Sequence, residues 1–146
     1  MRTALLDVNI LVAFLWPLHE HHDAAHRWFH GRGAGRWATT PLTELGFVRI
    51  VSNPAFSRDA LSPRDAVALL SDNLSHTAHD FWAANLAVPA AMHGMEAGLR
   101  GHQQFTDAYL LALASRHKGV LATFDRGVRA LASQSLDEAL EIVPTR

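Results

Sequence analysis

Thr3-Ala4-Leu5-Leu6-Asp7-Val8-Asn9, followed by Ile10-Leu11-Val12-Ala13-Phe14-Leu15 and Pro17, reads as a short strand, an acidic turn and a buried helix. The run from Thr3 to Leu6 is apolar but too short to be a helix, and the run behind it stops near Pro17, whose ring and missing N–H end a helix. Asp7 therefore falls just past the carboxyl end of a strand. Ligands of open α/β sheets sit outside that end, so an acid placed there is a better candidate for chemistry than one on a helix face.

The same grammar recurs outward from this opening. Trp37 to Thr40 is a candidate second strand, and Pro41 suits the first turn of a helix that carries Glu44, Phe47, Val48 and Val51 and ends before Asn53-Pro54. Phe105 to His117 is a nearly all-apolar helix with Asp107 in its first turn and Gly119 as its stop. Val120 to Thr123 is a strand that delivers Asp125, with a short helix over 126–132 behind it. Ser62-Pro63 caps and opens another helix through Ala66 and Leu70. An amphipathic helix is expected from His19 to His30, broken by Gly31-Arg32-Gly33-Ala34-Gly35. Weaker patterns give a short strand within 76–82, a helix over 87–99 interrupted by Gly94 and Gly98, and an edge strand at Ile142-Val143. Short strands alternating with helices make an α/β chain whose parallel sheet is covered on both faces.

At 146 residues, 49% of them hydrophobic, the chain is expected to form one domain over 1–146 around one core. No segment is long and apolar enough to span a membrane, and the N-terminus runs straight into Leu5-Leu6-Asp7 without a basic and apolar leader, so a cytoplasmic protein is expected. The absence of cysteine excludes disulfide frameworks, thiolate nucleophiles and sulfur-ligated metal. A formal net charge of −1 lacks the basic excess of an obvious nucleic-acid binder, but the positive charge is almost all arginine. Arg36, Arg49, Arg58, Arg64, Arg100, Arg126 and Arg129 could contact phosphate around an acidic centre, or simply solvate helix faces.

Asp7, Glu44, Asp107 and Asp125 are the candidate site. Four carboxylates gathered along one sheet edge would repel by about 4 kcal/mol per pair at 4 Å for an effective dielectric near 20, and divalent cations relieve that repulsion. A carboxylate site without sulfur suits hard ions such as Mg²⁺. Taken singly, each aspartate could instead be an N-cap or first-turn acid and Glu44 a solvated helical residue. His22 and His26 stand four apart on one helix face and invite zinc, but no partner at a matching spacing completes a site, so a solvated face is expected. Trp16, Trp28, Trp37, Trp82, Met92 and Met95 read as packing residues.

Leu6-Asp7-Val8-Asn9, Thr43-Glu44, Thr106-Asp107-Ala108-Tyr109-Leu110-Leu111-Ala112-Leu113-Ala114 and Thr123-Phe124-Asp125, in that order across the chain, resemble the PIN-domain family and within it the VapC-type ribonuclease toxins. The resemblance implies a three-layer α/β/α fold with a central, mainly parallel sheet. It also implies an acidic pocket that binds Mg²⁺ or Mn²⁺, one or two ions, to hydrolyse RNA phosphodiesters. On it Asp7 and Asp107 are expected to be the principal ligands, with Glu44 and Asp125 completing the pocket. Asn9, Thr106 and Thr123 would orient the acids, and Arg126 would reach the scissile phosphate. The partners implied are RNA, a small VapB-like antitoxin and a second copy of the chain, with no membrane. A housekeeping RNA-processing nuclease and a non-catalytic binding module with the same fold are the alternatives. An aspartyl-phosphate phosphatase is disfavoured because Asn9 stands where its general acid would be needed.

Overall fold

The computed structural model describes residues 1–133 and 136–146. Five short strands, β1 (Ala4–Leu6), β2 (Trp37–Thr39), β3 (His79–Phe81), β4 (Val120–Thr123) and β5 (Leu140–Ile142), form one sheet in the order β3-β2-β1-β4-β5, and every pairing is parallel. The helices are α1 (Val8–Leu15), α2 (His22–His30), α3 (Pro41–Val51), α4 (Pro63–Leu74), α5 (Val88–Met92) and α6 (Phe105–Arg116). The first strand is the central one, flanked by β2 and β4.

Alternation along the strands separates two packed layers. Ala4, Leu6, Trp37, Val120 and Ala122 join residues of α1 to α4 in one apolar cluster, whereas Leu5, Ala38 and Leu121 join α5 and α6 in the other. The period of two that sends successive side chains to opposite faces makes this division. Because both faces are covered, the strands carry no polar face, which is why β1, β2 and β4 are buried throughout. Each fully buried leucine contributes about 1.5–3 kcal/mol relative to exposure. The expected three layers are therefore present.

Local signals set most boundaries. Ser62 caps α4 by accepting a hydrogen bond from Asp65 N at 3.1 Å, with Pro63 at the first helical position. The expected helix over 87–99 is instead the short α5, a left-handed turn at Gly94 (φ 87°) and a 3-10 turn at Glu96–Gly98. The stop of α6 also differs from expectation. Lys118, not Gly119, takes the left-handed conformation (φ 56°). Gly119 is needed for space, because a Cβ there would sit 2.5 Å from Thr3 O and 2.8 Å from the Trp82 ring.

The histidine-rich segment becomes helical only from His22 and is not a solvated face. His22 Nδ1 lies 2.8 Å from Ala13 O and His26 Nε2 2.7 Å from Phe14 O, with the His26 ring stacked on Phe14 at 4.6 Å. These carbonyls belong to the last turn of α1, which has no intrahelical donor for them. Nitrogens that invited a metal reading are thus used to close a helix end. Trp16, Trp37, Trp82, Met92 and Met95 are buried as expected.

Candidate metal centre

β1 ends where α1 begins, and Asp7 is the joint. It caps α1, accepting from Val8 N at 2.7 Å on one carboxylate oxygen and from Thr123 Oγ1 at 2.7 Å on the other, and its own N–H donates to Ala122 O on β4. Burial to 6% exposure pushes its pKa up against these two hydrogen bonds, and the charge of Asp125 pushes it further.

Thr123 ends β4 and ties three elements together. Its hydroxyl donates to Asp7 and accepts from Asn9 Nδ2 at 3.2 Å and from Asp125 N at 3.0 Å, while Asn9 Oδ1 accepts from Phe124 N at 3.3 Å. Asn9 and Thr123 therefore sit where they orient Asp7 and the Asp125 turn. Asp125 is exposed and caps a 3-10 turn at Arg126–Ala130 by accepting from Gly127 N at 2.8 Å. Asp107 lies in the first turn of α6, half-buried and without a hydrogen-bond donor among the described residues. Its pKa is raised to about 6, first by burial and then by the charges of Asp7 and Asp125. These three carboxylates thus feel one another.

Glu44 reaches the same edge by another route. It lies in the first turns of α3, immediately after β2. Two residues on, Gly46 packs so tightly on the start of α1 that a Cβ would sit 2.5 Å from Val8 Cγ2. Glu44 Oε2 accepts from Thr39 Oγ1 at 2.7 Å. Thr106 is exposed beside Asp107 and lines an apolar cavity of about 380 Å³ with Leu42, Leu86, Val88, Phe105 and Tyr109. Arg126 is exposed and forms no ion pair among the described residues. Arg36, one of the arginines that could contact phosphate or solvate a helix face, is bound bidentately to Asp80 at 2.8 and 2.7 Å.

Sequence reasoning missed Thr39 and His79. Nothing local marks a buried strand threonine as a partner of a glutamate on the next helix, and His79 comes beside it only through the β2–β3 register, which sets Trp37 opposite His79. No lysine or arginine pairs with Asp7, Glu44, Asp107 or Asp125 among the described residues. Among those residues, too, no three acidic or histidine side chains close into a set that could hold an ion by themselves. An anionic, oxygen-only site with no countercharge and an open shell fits a hard cation that keeps several of its waters. It does not fit a closed structural zinc site.

The PIN domain family matches residues 4–134, and the chain belongs to that family. Among proteins of Mycobacterium tuberculosis (strain ATCC 25618 / H37Rv) it is similar to Ribonuclease VapC39, 43% identical over 138 residues that cover 94% of this chain and 99% of the relative. Ribonuclease VapC38 of the same strain is 39% identical over 145 residues, 96% of this chain and 97% of its own. Ribonuclease VapC29 is 40% identical over 130 residues, 88% and 90% of the two chains.

Proposed function

We propose that residues 1–146 act as one metal-dependent endoribonuclease domain, the toxin of a type II toxin–antitoxin pair in the cytoplasm. The observation that carries this reading is the pair Asp7 and Asp107, whose pKa values are raised and which have no cationic partner among the described residues, in a chain similar over nearly its whole length to proteins named ribonuclease VapC. Asp7 and Asp107 would hold Mg²⁺ or Mn²⁺, with Glu44 and Asp125 completing the set directly or through water. One or two such ions, when bound, supply an activated water and neutralise charge at the phosphodiester.

The chain's own residues prepare that chemistry. Thr123 and the N-terminus of α1 keep the Asp7 carboxylate aimed, and Asn9 holds Thr123. Thr106 and the first turn of α6 present Asp107. Arg126, exposed on the turn after Asp125, is free to meet a scissile phosphate. A VapB-like antitoxin and a second copy of the chain are the protein partners this reading assigns.

Incubation of purified protein, stripped of any bound partner, with total RNA and Mg²⁺ or Mn²⁺ tests the proposal. Discrete cleavage is expected, abolished by EDTA and by Asp7→Asn. Intact RNA from folded wild-type protein at saturating metal would refute it.

A further inference from the structure

The apolar cavity beside Asp107 has a built floor and an open rim. Tyr109 and Met92, each 6% exposed, form the floor. The Tyr109 hydroxyl donates to Leu86 O at 2.7 Å, which fixes the wall that follows β3 against α6. Around the mouth, Phe105, Val88 and Leu42 leave much of their apolar surface in solvent, at 47%, 53% and 38% exposure. At about 380 Å³ the space falls within the range of small-ligand pockets.

The helices that carry the acids decide where this cavity lies. On α6, Phe105 and Tyr109 stand four apart on one face with Thr106 beside them, and Asp107 is about 100° further round from Thr106. On α3, Leu42 precedes Glu44 by two residues. Along each helix, wall and acid are thus within one turn, about 5.4 Å. Successive nucleotides of a strand are about 3.4 Å apart, so a strand with a phosphodiester at the acids brings an adjacent base to the cavity.

We propose that this cavity is a nucleobase subsite: it receives the base of a nucleotide next to the scissile phosphate, with the Phe105 ring as stacking platform and the Thr106 hydroxyl at the polar edge of the base. The inference rests on the reading of the acids as an RNA-cleaving site and adds where that RNA is gripped. A base has two apolar faces and a polar edge, and it is held by aromatic and aliphatic walls with few polar groups. A peptide in the same space would bring an N–H and a C=O with nearly every residue. The lining side chains offer it little: the Tyr109 hydroxyl is already used, and the Thr106 hydroxyl is the one without a hydrogen bond among the described residues. No charged side chain lines the cavity, so the phosphate is left to the acids and their cation.

Phe105→Ala removes the platform, and Ala84→Trp and Val88→Trp fill the cavity from exposed positions on the wall after β3. The probe is an RNA oligonucleotide spanning a site that the wild type cleaves, with an abasic residue placed in turn on the 5′ and the 3′ side of the scissile bond. The ratio kcat/KM in Mn²⁺ is measured for every pairing of protein and RNA. Mn²⁺ affinity, by calorimetry with the metal alone, and sedimentation velocity are measured beside it.

One of the two abasic positions is expected to lower wild-type kcat/KM about 10-fold, the order of a base–aromatic stack. Each variant should lose about as much on intact RNA and less than twofold more on the abasic RNA, because base and wall form one contact. Mn²⁺ affinity should stay within twofold of wild type. Indifference to both flanking bases, or losses that multiply, would overturn the inference while cleavage and metal binding survive. So would a fall in Mn²⁺ affinity that matches the loss of cleavage, which would make the wall a support of Asp107. A changed sedimentation coefficient in the tryptophan variants, with no base dependence in the wild type, would give the cavity to a second copy of the chain instead. Wild-type protein that neither binds Mn²⁺ nor cleaves RNA would remove the nuclease reading, and this inference with it.

Discussion

Asp7 and Arg32 lie at almost the same depth, 6% and 7% exposed, and the molecule handles their charges in opposite ways. Arg32 is compensated: its guanidinium forms an ion pair with Glu141 on β5, donates to Arg2 O at 2.6 Å and lies 5.2 Å from the Trp28 ring, whose Nε1 donates to the other Glu141 oxygen at 2.9 Å. Asp7 has hydrogen bonds but no cationic partner among the described residues, and burial first, then the charge of Asp125, make its ionisation harder. A buried charge without a partner costs several kcal/mol. One cluster staples α2 to the sheet edge, and the other leaves a buried carboxylate whose ionisation is opposed by its surroundings.

The comparison breaks most sharply at the acids. Asp7→Asn or Asp107→Asn should lower RNA cleavage at least about 100-fold, read from initial rates at saturating Mn²⁺, with the circular dichroism spectrum unchanged. At the compensated cluster, Glu141→Ala should cost about 2–3 kcal/mol in urea unfolding, because Arg32 stays buried without its partner; the figure is set below that of a fully buried pair since Glu141 is one-third exposed. Cleavage by the surviving folded protein should be unaffected, and a stability change under 0.5 kcal/mol or so, within the range of ordinary surface substitutions, would contradict the compensation.

A smaller effect is expected from Gly46→Ala. Its Cβ must displace Val8, next to Asp7, so a destabilisation of about 1–3 kcal/mol should come with weakened Mn²⁺ binding. The smallest effect concerns pH in the absence of metal. Asp107 titrates near 6 in the folded chain and near 4 when unfolded, so its protonated form favours folding. That contribution is complete below about pH 4 and is lost as pH rises through about 6. The half-buried His19, His26 and His79, whose pKa values are lowered, act in the opposite sense. The difference between wild type and Asp107→Asn isolates the acid: in EDTA the variant should gain on the order of 2 °C in Tm at pH 7.5 relative to its position at pH 4. Saturating Mn²⁺ should reverse the order of the two proteins at pH 7.5.

Where strong local chemistry coincides with the fold, the sequence was sufficient. The Leu6-Asp7 joint, the Ser62-Pro63 cap and the apolar run of α6 each combine a packing pattern with a terminator, and each element forms within a residue or two of its expected place. Between Ala87 and Leu99 the apolar spacing is poor and Gly94 has a left-handed φ, so a chain that looks weakly helical makes one short helix and a turn. Thr123 was legible as an orienting group because it precedes Asp125 by two residues. Thr39 and His79 were not, because they are 40 positions apart and meet only through strand register. Arg32 looked like part of a glycine-rich break, and its partner lies 109 positions away on the last strand.

The central place of β1 has a consequence during synthesis. The strand that leads into Asp7 is made well before the hydroxyl that aims the Asp7 carboxylate, which belongs to Thr123, 116 residues later. At about 5–20 residues per second, that interval is on the order of 10 s. A nascent chain in this interval has Asp7 but neither β4 nor the Asp125 turn, so the Asp7 carboxylate is aimed only once β4 has been made and paired.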